Sequence, residues 1–188
     1  MKELLQKILD DPKATIALSA VLISFISLLL SIITSIQNRR NNRLGVRPLA
    51  YIYPPDYEDR IAVIIQNKGT GPMITRTIKF TNENGTSKCN LIDFMPELEE
   101  GYYWADYSKA SKIVLRPSEE KILIELKGDH MDEGFIRHRE EIRRALSTIE
   151  VEIKYVSIFN EWCPFKLKYK LTWFERKNKN RCQSSTRP

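Results

Sequence analysis

Ala14–Ile36, ATIALSAVLISFISLLLSIITSI, decides how this chain is read: it holds no charge, no proline and no glycine. At a helical rise of about 1.5 Å per residue the run reaches roughly 34 Å, against a hydrocarbon core of about 30 Å. Lipid offers the backbone no other hydrogen-bond partner, so such a run crosses as a helix. The competing reading is a buried helix of a soluble domain, which normally carries the polar face this run lacks. The expectation is one transmembrane helix over 13–37 with a soluble domain behind it.

Working outward, residues 1–12 read as a short amphipathic head, with Met1, Leu4, Leu5, Ile8 and Leu9 on one side. Asp11 suits a helix cap, and Pro12 suits the first turn, where a missing N–H costs nothing. The run is too long for the apolar segment of a cleaved signal peptide, and SIQNRRNNR after it has no small-residue cleavage site. Residues 38–47 form a basic linker carrying Arg39, Arg40, Arg43 and Arg47. Arginines on that side alone predict a cytoplasmic C-terminal domain and an outer N-terminus. The same four arginines are expected at the anionic surface of the lipid bilayer.

The net charge of +6 suggests nucleic acid until it is located. The linker holds four arginines and no acid, and a flexible tail, 175–188, sets Arg176, Lys177, Lys179, Arg181 and Arg187 against Glu175 alone. These flanks exceed the whole net charge, which leaves 48–174 slightly acidic and argues against a nucleic-acid face. Cys89, Cys163 and Cys182 are odd in number and widely spaced, as suits a reducing compartment.

Within the span, Ala17, Ala20, Ser24, Ser27, Ser31 and Thr34 recur at alternating steps of three and four. A repeat near 3.5 lays small and hydroxyl side chains along a left-handed seam, which predicts a homo-oligomer through this helix. Two other readings stand beside it: serines bonded to their own backbone, and a polar stripe facing water in a pore.

Residues 48–174 read as a mainly-β domain of short strands separated by turn clusters, which indicates a β-sandwich or small barrel. Strands are expected at 49–53, 60–66, 73–81, 89–94, 112–116, 121–127, 150–158 and 165–173. Over 73–81, Ile74, Ile78 and Phe80 share one side, and Arg76 intrudes on it. In the last strand Phe165, Leu167, Tyr169, Leu171 and Trp173 face in, while Lys166, Lys168 and Lys170 face out. Asp132–Ser147 is the one helix, with Phe135, His138, Ile142, Ala145 and Leu146 on a common face and Arg143 among its solvated charges.

Three stretches carry a resemblance: RPLAYIY at 47–53, IAVIIQNKGTGPMITRTIKF at 61–80 and IKYVSIFNEWCPFKLKYKL at 153–171. They resemble poorly characterised bacterial single-pass membrane proteins with a C-terminal immunoglobulin-like domain. The resemblance rests on turn residues such as Asn67, Gly69, Gly71 and Pro72. It implies an immunoglobulin-like β-sandwich with one inserted α-helix, held at the inner membrane, and it transfers no catalytic residue.

Catalytic motifs are lacking. GTGP at Gly69–Pro72 lacks the ending of a phosphate loop and lies between strands. His130 and His138 have no partner at metal-ligand spacing, so neither a metal nor another cofactor is expected. The stretch with binding character is Glu97–Tyr107, where Tyr102, Tyr103, Trp104 and Tyr107 stand among acids. Aromatics anchor interfaces at low entropic cost. Two readings remain for this stretch, an interface and a lid over one sheet. The functional expectation is a non-enzymatic membrane-anchored effector or sensor, of the kind found among prokaryotic defence effectors, whose domain binds a cytoplasmic protein or small signalling ligand. The alternative is a structural adaptor that recruits a cytoplasmic protein to the bilayer.

Overall fold

The computed structural model describes residues 12–108 and 112–175. The head before Pro12, the tail after Glu175 and Cys182 lie outside the described residues. The chain divides into two compact units at Gly45.

The first unit is helix α1, Pro12–Gly45. None of its residues is buried, and its most apolar window has a mean hydropathy of 2.7. It is the one helix among the described residues long and apolar enough to cross a membrane. The helix continues through the basic segment because nothing from Gln37 to Leu44 breaks it; Gly45 and Pro48 are the first residues that can.

The second unit starts at Val46. One antiparallel sheet has the order β1 (Ala50–Tyr53), β2 (Arg60–Asn67), β7 (Glu120–Lys127), β5 (Trp104–Tyr107). The other runs β4 (Ser87–Lys88), β3 (Met73–Thr81), β8 (Glu150–Val156), β9 (Phe165–Lys170), with β6 (Val114–Leu115) also paired to β3. Ile52, Val63, Ile65 and Leu126 of the first sheet share one apolar cluster with Ile78, Phe80, Val151 and Ile153 of the second. Helix α2, Glu133–Ser147, adds Phe135, Ile142 and Leu146 to that cluster. Asp132 caps α2, its carboxylate accepting the Gly134 N–H at 2.9 Å.

Asn67 binds one end of the domain together. Its side-chain amide donates to the carbonyls of Gly71, Leu115 and Arg116, and its Oδ1 accepts from the Leu49 and Gly69 amides. The neighbouring glycines are needed for close approach: a Cβ on Gly71 would lie 1.8 Å from the Val46 carbonyl oxygen, and one on Gly69 would lie 2.3 Å from that of Arg47.

Several sequence expectations change. In β3 a bulge between Thr75 and Thr77 flips the alternation, so Met73, Thr75, Ile78 and Phe80 are buried and Arg76 is solvated. Central strand β7 buries Leu123 and Glu125 as well as Ile124 and Leu126. In place of a strand over 89–94 there is a 3-10 turn, Ile92–Phe94, held by the Asn90 side chain donating to Asp93. Trp173 lies beyond the end of β9 and is 46 % exposed rather than inward. The alternation of β9 itself holds, with Phe165, Leu167 and Tyr169 half-buried and its lysines out.

Arg143 is also corrected: it is buried on α2 and makes a bidentate pair with Asp56, at 3.0 Å from Nε and 2.7 Å from Nη2. Burial pulls the guanidinium pKa down, and the bonds to Asp56 and Glu140 outweigh this and raise it.

Candidate functional site

The acidic-aromatic stretch is built onto the start of α2. The Tyr102 N–H donates to the Glu99 carbonyl at 3.2 Å, closing a turn that takes Gly101 to φ 99°, where glycine alone is unstrained. This turn delivers the Tyr102 ring to the helix. Its hydroxyl donates to Asp132 Oδ2 at 2.6 Å, and the ring meets His138 edge-on with centroids 4.8 Å apart. Gly134 makes room, since a Cβ there would lie 2.0 Å from the Tyr102 hydroxyl. The hydrogen bond raises the Tyr102 pKa and lowers that of Asp132.

Glu99 adds a second clasp. Its carboxylate pairs with Arg137 at 2.5 Å, and its N–H donates to Nε2 of buried His138 at 3.4 Å. His138 stands 3.8 Å from both Glu99 and Glu141. The histidine is buried: its Nε2 accepts from the Glu99 N–H, and its Nδ1 makes no hydrogen bond among the described residues.

Beyond Tyr102 the chain enters β5, whose register against β7 slips between Trp104 and Asp106. The four aromatics divide into two pairs. Tyr102 and Trp104 pack half-buried against the core, as a lid would. Tyr103 and Tyr107 stand out at 77 % and 53 % exposure on a segment held by α2 and β7, as an interface requires.

Compared with known protein families and with curated proteins, the chain matches none of them. Among the described residues, no three His, Cys, Asp or Glu side chains are grouped as a metal ion would need.

In α1 the Ser24 hydroxyl donates to the Ala20 carbonyl and the Ser19 hydroxyl to that of Thr15, each at 2.8 Å. Ala17, Ser27, Ser31 and Thr34 are exposed on the same helix. The four arginines separate. Arg39, Arg40 and Arg43 belong to the end of α1 and, with Ile36 and Leu44, line a shallow concavity there. Arg47 belongs to the domain, its guanidinium 4.8 Å above the Phe165 ring.

Sequence reasoning missed two surface features. Tyr51, Tyr53, Pro54, Pro55, Tyr169 and Trp173 line a groove of about 220 Å³. Trp162, between β8 and β9, is 98 % exposed. The cluster of aromatics at 51–57 and the run IFNEW at 158–162 were the available signals.

Proposed function

We propose that this chain is a non-enzymatic membrane effector or sensor, with α1 spanning the inner membrane, its N-terminus outside, and an immunoglobulin-like β-sandwich in the cytoplasm. The domain binds a cytoplasmic protein or small signalling ligand, and α1 self-associates in response and perturbs the membrane. The observation that carries this reading is the preorganised aromatic face. Clasps to Asp132, Arg137 and His138 order residues 99–102, so Tyr103 and Tyr107 meet a partner without paying the ordering entropy again. The unburied surface of α1 supports the membrane half of the reading.

A second reading, the adaptor, is favoured by the serines of α1. Ser19 and Ser24 bond to their own helix, as they do in a plain anchor. Graded expression with a potential-sensitive dye separates the two. An effector depolarises cells above a threshold level, and Ser24→Leu with Ser31→Leu abolishes this at equal membrane abundance. Absence of depolarisation at every level, with and without candidate inducing stresses, selects the adaptor.

A further inference from the structure

The β8–β9 connection, 157–164, carries an apolar tip. Trp162 is more exposed than any other large apolar side chain among the described residues, and Ile158 and Phe159 stand beside it at 55 % and 43 %. The polar groups of the loop are meanwhile turned on one another. The Ser157 N–H donates to the Glu161 carboxylate at 2.8 Å, and the Ser157 hydroxyl donates to the same carboxylate. The Phe159 N–H donates to Ser157 Oγ and the Asn160 N–H to the Ser157 carbonyl, each at 3.1 Å. The Arg76 guanidinium holds the Asn160 side chain. A turn that satisfies its own backbone while its apolar side chains stand out suits a layer poor in water.

The place of this tip in the domain gives it an occupant. Ile74 pairs with Val156 and Tyr155 with Phe165, so the tip leaves the sheet where β3 begins. That end also holds Val46, against Gly71, and Arg47, over Phe165. Val46 is covalently bonded to Gly45, the last residue of α1, so the chain itself ties this end of the domain to the span. Gln37–Gly45 adds at most roughly 14 Å of helix past Ile36, and less with tilt, beside a headgroup layer of about 5–8 Å. Exposed Arg47, Lys68, Arg76 and Arg116 gather at the same end, where Glu119 and Glu161 accept backbone N–H groups of their own turns and Glu120 accepts from the Gln66 side chain.

We propose that Ile158, Phe159 and Trp162 dock into the headgroup–acyl boundary of an anionic bilayer, so that the domain lies against the membrane by its basic end. The proposal rests on the reading of α1 as a membrane anchor. Its test uses the full-length protein in vesicles of brominated phosphatidylcholine and phosphatidylglycerol. Tryptophan emission is compared between the wild type and Trp162→Ala, a change that removes no buried side chain. Bromine should quench part of the wild-type emission, and Trp162→Ala should lose that quenched part while Trp104 and Trp173 still emit. Ile158→Ser with Phe159→Ser should reduce the quenching of Trp162. Equal quenching in the two proteins, or a blue-shifted Trp162 that bromine does not touch, overturns the proposal; the second result would seat the tip on protein. Replacing phosphatidylglycerol with phosphatidylcholine should weaken the quenching, and no change overturns the role given to the basic residues. Carbonate extraction runs in parallel. A resistant protein with unquenched Trp162 defeats this proposal alone, whereas an extractable protein defeats the anchor reading and the proposal with it.

Discussion

Replacing Asn67 with alanine should unfasten the end of the domain where the chain enters it. The side chain has five hydrogen-bond partners: its two amide hydrogens serve three carbonyls, one of them shared, and its Oδ1 accepts from the Leu49 and Gly69 amides. A hydrogen bond contributes about 1 kcal/mol net, and a buried N–H left without an acceptor costs about 1–3 kcal/mol. With Asn67 itself fully buried, Asn67→Ala should cost about 4 kcal/mol, or roughly 10–15 °C in melting temperature for a domain of this size. Thermal unfolding of the detergent-solubilised full chain, followed by loss of strand signal in circular dichroism, reads the shift. Asn67→Asp sharpens the test, because it keeps the acceptor and sets an oxygen against three carbonyls. That carboxyl group should have a folded pKa above its unfolded value of about 3.9. Its protonated form restores a donor, so stability is retained below that value and lost as pH rises through the raised folded pKa. A melting temperature for Asn67→Ala within about 3 °C of wild type would refute the reasoning.

Arg143→Ala removes both hydrogen bonds that the guanidinium gives buried Asp56 and should cost about 3–5 kcal/mol, whereas Arg143→Met with Asp56→Leu should recover most of the loss in urea unfolding. Trp104→Ala should lower stability by about 2 kcal/mol, while Tyr103→Ala with Tyr107→Ala leaves the melting temperature unchanged, since of these three side chains Trp104 alone packs on the core. Tyr102→Phe should lower the melting temperature by an amount that is constant near neutral pH. Asp132 has a depressed folded pKa, so its contribution is present above the ordinary value of about 3.9 and is lost as pH falls through the depressed one; the difference between the two proteins should shrink there. A periplasm-active reporter fused after Pro188 should be silent and a cytoplasm-active one working.

Legibility followed the range of the interaction. The long apolar helix, the helix that follows Asp132 and the period-two pattern of β9 are written in neighbouring residues, and the fold keeps all three. Arg143 reads as a solvated helix charge because its partner Asp56 lies 87 positions away, and only the topology brings them together. Arg76 looked misplaced on an apolar side because a bulge leaves no composition mark, yet shifts every later side chain to the opposite face. The aromatic stretch was visible as a group, but its division was not. Tyr102 turns inward through Gly134 and Asp132, some thirty residues on, and β5 exists only because β7 arrives later to pair with it. Trp162 went unread because a tryptophan in a turn is ordinarily covered, and solvent exposure is a property of the folded chain.

The central claim, that α1 is an associating element and more than an anchor, is tested most directly by cysteine crosslinking in membranes. Cys89, Cys163 and Cys182 are first changed to serine, and single cysteines are then moved along positions 17 to 34 of the full chain. An α-helix drifts by about 20° per heptad against a 3.5 repeat, so a supercoiled seam keeps Ala20, Ser24, Ser27 and Ser31 facing a second copy. Crosslinking should peak at those four positions, dip between them, and collapse when Ser24→Leu and Ser31→Leu are combined. A flat profile, or peaks on the leucine-rich side at Leu29 and Ile33, would contradict it.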